Sequence, residues 1–329
     1  MKVKDLVILM FPGDKHDAEV NKGGEALYVK HVRKHLVGRG KDVPAMRSIQ
    51  TVQENLVAER KRTMDSPEAA LAQRAWLVLM RNDAGLAGDG PLEAGKQFEI
   101  IAGTDPFPAG GFDPDTGVYV INHAQGGVLS MFGIFYLNVL KLHPRGDAAE
   151  HQAAALVRVF QKLGINNCRK VAFASCGLAD HAITEKSFLQ HFVVGMHEAK
   201  YETMAAGWDL PFEIVTDAAD EGYGRKRGTV NYAGKFLKDL RTRNKYVYVY
   251  QSAEIPFEVK ADKVKHAASV DAERTKAVKT FKKGHTPIEP SWRQVSETPA
   301  DAGRKVRYTL KVDFVDKLKY AKSGWSNAK

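Results

Sequence analysis

The chain has 329 residues, 44% of them hydrophobic, and a formal net charge of +10, the balance of a globular protein with a real core. No apolar run approaches the roughly 20 residues needed to span a bilayer. The first apolar run, residues 6–11, is shorter than a signal-peptide core and lacks a small-residue cleavage site, so the sequence predicts a soluble protein with no transmembrane segment and no secretory routing.

In chain order, residues 6–11 end at Pro12-Gly13 and predict a strand buried on both faces. Residues 23–40 carry helical spacing, including Lys34 on the first helix, and a glycine closes the segment. Residues about 51–86 are expected to form a helical insertion. Residues 97–102 and 118–122 are short β-rich runs either side of a Pro/Gly/Asp loop. Residues 147–163 place apolar side chains at 149, 153, 156, 157, 160 and 163, an amphipathic helix with Asp147 as N-cap and Gly164 as C-cap. A strand over 170–175, a helix over 187–198 and a strand over 212–216 follow.

Alternating strands and helices predict an α/β fold with a mainly parallel sheet and helices on its faces. After Gly222 the composition changes. Residues 221–329 hold 25 Lys+Arg against 12 Asp+Glu, whereas residues 1–220 hold 24 against 27. A basic C-terminal third on a slightly acidic body points to a polyanionic partner or to a solvated lysine-rich surface. Residues about 225–255 read as a β-flap or hairpin closing the sheet. Residues 256–329 read as a basic extension, either partly disordered or a small separate unit.

Two of the predicted strands run into reactive side chains. Residues 118–122 lead into His123, and residues 171–175 lead into Cys176. In an open parallel sheet the carboxyl ends of the strands border the functional crevice, and a helix-linked parallel pair puts both side chains at one rim. His123 lies 53 residues before Cys176, the caspase order and spacing. A thiol with an ordinary pKa near 8.5 is mostly protonated at neutral pH, so a neighbouring imidazole is needed to hold the thiolate or protonate the leaving amine. Main-chain N–H groups beside Cys176 and after His123 are candidates for stabilising an oxyanion. The only other cysteine, Cys168, sits in a polar turn. A disulfide between the two is possible by spacing, but a thiol function in a reducing compartment fits better, and two cysteines without clustered histidines argue against a structural metal.

Strand-His-small and strand-Ser-Cys-Gly, joined by an amphipathic helix, resemble the caspase-like cysteine peptidases of clan CD. The chain is most similar to the cysteine protease domains of multifunctional autoprocessing RTX toxins and large clostridial toxins. The likeness continues through a phenylalanine-bearing helix (Phe188, Phe192), a strand from Phe212, an acidic stretch ending at Gly224-Arg225-Lys226, and Asn244-Lys245 before a β-flap. It implies a caspase-like peptidase domain over residues 1–255, a Cys176–His123 dyad, and activation by inositol hexakisphosphate bound at Arg225, Lys226 and Lys245, with Lys34 as a further candidate. Charge-assisted hydrogen bonds from clustered Arg and Lys suit a polyphosphate. The resemblance also implies a protein or peptide substrate, cut in cis or in a host protein, and delivery to a host cytosol as a bacterial effector; otherwise the protein is expected in the cytoplasm. Where the family has glycine after the histidine, this chain has Ala124.

A different class of function competes with this one. The same fold without catalysis would serve as a polyanion-binding module. Tyrosines 246, 248 and 250 among basic residues are compatible with single-stranded nucleic acid, but their alternation fits a half-buried flap strand better, so no specific nucleic acid is expected.

Overall fold

Short runs of apolar residues become strands in the computed structural model, which describes residues 5–12, 17–37, 48–63, 74–81, 90–103, 106–122, 124–125, 128–129, 145–175, 178–179, 186–208, 212–214, 216–217, 226–228, 245–285 and 287–319. The chain divides into two units, Met1–Tyr246 with Lys319–Asn327, and Val247–Leu318.

The first unit begins with β1 (Asp5–Met10), every residue of which is buried, and helix α1 (Asp17–Val37). Helix α2 (Ile49–Thr63) and strand β2 (Arg74–Met80) follow, then β3 (Phe98–Gly103) and β4 (Thr116–Ile121). A two-residue hairpin, β5 (Ala124–Gln125) with β6 (Val128–Leu129), precedes α3 (Arg145–Lys162), β7 (Lys170–Ala174), α4 (Phe188–Glu198) and β8 (Met204–Trp208). The sheet order is β8-β7-β4-β1-β2-β3. All neighbours pair in parallel except the edge strand β3, which is antiparallel to β2. The chain is therefore an α/β protein with a mixed, mostly parallel sheet in this unit.

Helices cover both faces of that sheet. Alternation in β1 sends Leu6, Ile8 and Met10 to one side, where they join Leu77, Ile121 and Ala174 under Leu27 and Tyr28 of α1 and Val52 and Leu56 of α2. On the other side Phe173 of β7 meets Phe188 and Phe192 of α4, with ring centroids 5.4 and 5.2 Å away, and Phe160 of α3 lies 5.5 Å from Phe192. Ser187 caps α4, its hydroxyl accepting from the Gln190 N–H at 3.3 Å. Gly164 stops α3 by taking φ +69°, a conformation that disfavours any side chain, and the Ile165 N–H closes the turn on the Phe160 carbonyl at 2.8 Å. Asp147 lies inside α3 rather than at its cap.

Three expectations need correction. The segment 51–86 is not a helical insertion throughout: its helix ends at Thr63, and residues 74–80 form β2, a strand internal to the sheet because Ala75, Trp76, Leu77 and Val78 are buried. The strand that follows β7 in the parallel sheet is β8, not the run at 212–216. Of that run only β9 (Phe212–Ile214) is a strand, paired antiparallel with β10 (Lys226–Gly228) in a separate ribbon. The run expected at 246–250 belongs to a far longer strand, β11 (Lys245–Lys260).

The second unit contains most of β11, helix α5 (Ala267–Gly284), β12 (Pro287–Ala300) and β13 (Lys305–Lys319), with strand order β12-β13-β11. One cluster of its buried residues joins Phe257, stacked on Tyr308 at 5.1 Å, with Val259 and Leu310, and Val270, Ala277 and Val278 of α5 pack against it. Glu258 bridges Lys305 at 3.1 Å and Arg307 at 2.8 Å. None of the described helices is long and apolar enough to cross a membrane.

Candidate active site

The carboxyl ends of β4 and β7 lie side by side. The two strands pair in parallel from Gly117↔Lys170 to Ile121↔Ala174, at a spacing of about 4.8 Å between neighbouring strands. The end of β4 is tied to β1 through the Phe11 N–H, which donates to the Ile121 carbonyl at 2.9 Å. One residue beyond the last pair come Asn122 and Ser175, 4% and 1% exposed. His123 and Cys176 are next in sequence, and both lie outside the described residues.

His123 is followed by the β5–β6 hairpin, where Ala124 pairs with Leu129. After Cys176-Gly177, Leu178 and Ala179 are buried, and the Ala179 N–H donates to the carbonyl of Trp208 at the end of β8 at 2.9 Å. The segment carrying Cys176 thus leaves the sheet buried at Ser175 and is buried again by Leu178.

Asn122 was not singled out from the sequence. Both polar atoms of the Asn122 amide and the Ser175 hydroxyl have no hydrogen-bond partner among the described residues. A buried polar group left unpaired costs about 1–3 kcal/mol, so three such atoms at neighbouring strand ends are an expensive feature. The signal available in the sequence was a polar residue closing each apolar strand run.

Cys168 is fully buried and unpaired with any other cysteine, and burial pushes its thiol up to about 12, so it is inert at neutral pH. Its turn is fixed by Thr203, whose hydroxyl donates to the Cys168 carbonyl at 2.9 Å.

The cationic residues divide in the same way. Arg225 lies outside the described residues, and Lys226 falls in β10. Lys34 is exposed on α1. Lys245, at the start of β11, holds its ammonium 5.8 Å from the centre of the Trp208 ring. Its pKa is lowered to about 8, first by burial and then by the positive charge of Lys30. Lys30 was missed in the sequence, although it stands one helical turn before Lys34 and so on the same face of α1. No group of three or more His, Cys, Asp or Glu that could hold a metal occurs among the described residues. In the second unit, an open groove of about 460 Å³ runs between Phe257 of β11 and Phe281 of α5, and none of the residues singled out from the sequence lines it.

The architecture defines a mostly parallel α/β sheet whose neighbouring internal strands, β4 and β7, run out into buried polar side chains that lack a hydrogen-bond partner among the described residues. A scan against protein-family models finds no match to this chain, and a search of curated proteins finds none either.

Proposed function

We propose that the chain is a cysteine endopeptidase acting through a dyad of Cys176 and His123. The observation that carries this reading is the parallel register of β4 and β7, Ile121 against Ala174, because each candidate residue follows its strand by the same two positions. Equal offsets from neighbouring parallel strands favour a shared rim at the carboxyl edge of the sheet. In the proposed reaction the Cys176 sulfur, as thiolate, bonds to the scissile carbonyl carbon. The C–N bond then breaks as His123 gives its proton to the departing amine. Water, deprotonated by the same imidazole, releases the acyl group and returns the thiol.

Activation by a polyanion, inositol hexakisphosphate in the toxin domains this chain resembles, is the second part of the proposal. It is supported by Lys245 and Lys30, which raise each other's cost of carrying charge. An anion bridging them, with Lys34 and the sequence-assigned Arg225 and Lys226, would relieve that repulsion. The same observation favours the non-catalytic alternative, a polyanion-binding module on the same fold. Action inside a host cytosol as a bacterial effector rests on the resemblance alone.

Mass spectrometry of the purified chain with a mixture of peptide and protein substrates, with and without inositol hexakisphosphate, tests both parts. New termini that form faster with the polyphosphate are expected. Saturable binding of the polyphosphate with no new termini in either arm would replace the peptidase by the binding module.

A further inference from the structure

We infer that the groove between β11 and α5 docks an extended peptide segment of another protein, which adds to β11 as a further strand and carries Lys or Arg beside apolar side chains. The groove, of about 460 Å³, lies within the second unit, and its role does not depend on the dyad. One wall is five consecutive residues of β11, 254–258, so a strand edge and not only side chains faces it. The other wall is a single stripe of α5, on which Glu273, Ala277 and Phe281 recur at every fourth position. In the unit's strand order β11 is outermost; its other neighbour in the sheet, β8, has five residues against the sixteen of β11.

The direction of the β11 main-chain groups follows from its far end. There the Ala261 N–H donates to the Arg304 carbonyl at 2.8 Å. Ser252 and Asp313 are also hydrogen-bonded, as many residues back along β11 as forward along β13, so one register holds between them. Hydrogen-bonded and non-bonded pairs alternate in an antiparallel ladder. Stepping back by twos from Ala261 therefore turns the amides of Val259, Phe257 and Ile255 towards β13. Those of Glu254 and Glu258 turn outwards, as do the carbonyls of 254, 256 and 258. Pro256, which has no N–H, stands at an outward position, the place an edge strand allows a proline.

Charge and apolar surface define the occupant. Pro256, Ala277 and Phe281 give the groove apolar lining, and its carboxylates outnumber its one ammonium, Lys276. Glu258 is held by Lys305 and Arg307, and Glu273 has Lys276 at 3.7 Å. Glu254 is exposed and forms no ion pair among the described residues. A strand laid along β11 would take main-chain hydrogen bonds from the outward groups and place a cationic side chain by Glu254.

The probe is a fluorescent octapeptide of alternating valine and lysine. Its anisotropy is followed on titration into the full chain and into the Cys176→Ala variant, which separates hydrolysis of the probe from loss of binding. One control peptide alternates valine and glutamate; the other carries N-methyl groups on alternate backbone amides. Saturable binding about tenfold tighter than either control is expected, since main-chain hydrogen bonds supply the affinity. Hydrogen exchange should slow at 254–258 when the probe is added, because two outward amides gain acceptors. Glu254→Lys should weaken binding about 3–10-fold with Tm unchanged. No saturable binding, or no protection at 254–258, would overturn the site. Equal affinity for the N-methylated peptide would overturn strand addition, and equal affinity for the glutamate peptide would overturn the cationic occupant.

Discussion

Ile121 and Ala174 face each other as the last paired residues of β4 and β7. That single register links the fold to the proposed chemistry. The strands are held from both sides: Ile121 and Ala174 sit in the cluster under α1 and α2, while Phe173 is clamped by Phe188 and Phe192 of α4. Packing on two faces fixes where the strands end, and so where the next residues start.

The two cysteines should behave oppositely. Burial holds the Cys168 thiol protonated, with its value pushed up to about 12. Cys168→Ala is expected to retain full peptide hydrolysis and to cost about 1 kcal/mol of stability. Loss of hydrolysis in a folded Cys168→Ala protein would point to the wrong sulfur. Thermal unfolding and turnover of one peptide substrate give both answers.

Lys245 gives a pH dependence with a defined direction. Its folded value of about 8 is below the ordinary 10.5, so it loses its proton in the fold before it does in the unfolded chain. The penalty of the charged form is fully present below about pH 8, and stability contributed by this group rises as pH climbs from there towards 10.5. A bound polyanion favours the protonated form, so its affinity should fall as pH rises above about 8. Isothermal titration of inositol hexakisphosphate at pH 7 and pH 9.5 checks this. Lys245→Ala and Lys30→Ala should each weaken binding and flatten the pH response, and equal affinity of wild type at both pH values would contradict the account.

At the start of the sheet, Asp5 is fully buried and takes two hydrogen bonds from Arg74, at 2.9 and 2.6 Å, while the Arg74 side chain is 28% exposed. The guanidinium also lies 5.3 Å from the Trp76 ring. Removing the cation leaves a carboxylate buried without its partner, so Arg74→Met is expected to cost about 3–5 kcal/mol in urea unfolding. Asp5→Asn should cost less, because the freed guanidinium can reach water. The reverse order would show that the charge on Asp5 is compensated elsewhere.

Much of this was legible in the sequence wherever one periodicity ruled a segment. The buried β1, the amphipathic α3 and the β4 and β7 runs all fall within a few residues of expectation. Strand β2 is hidden in the sequence because Arg74–Met80 follows a charged helix; burial on both faces of the sheet is what distinguishes it. Strand β8 reads Met-Ala-Ala-Gly-Trp, almost without β-formers, since α4 lies over it so closely that a Cβ on Gly207 would come 2.7 Å from Leu189. Tertiary packing, not propensity, makes that segment a strand. At the site, the chemistry-bearing types His123 and Cys176 stood out by residue type and spacing. Asn122 and Lys30 did not, because their interest lies in burial and missing or opposing partners, which a sequence does not display.

The central claim is most directly tested by measuring peptide-bond hydrolysis by wild type, Cys176→Ala and His123→Ala, with new termini identified by mass spectrometry and folding checked by thermal melts. The account predicts cleavage by wild type, none by Cys176→Ala, and a loss of about 10²–10⁴-fold in His123→Ala, all three proteins being folded. Cleavage at the wild-type rate by Cys176→Ala would contradict it.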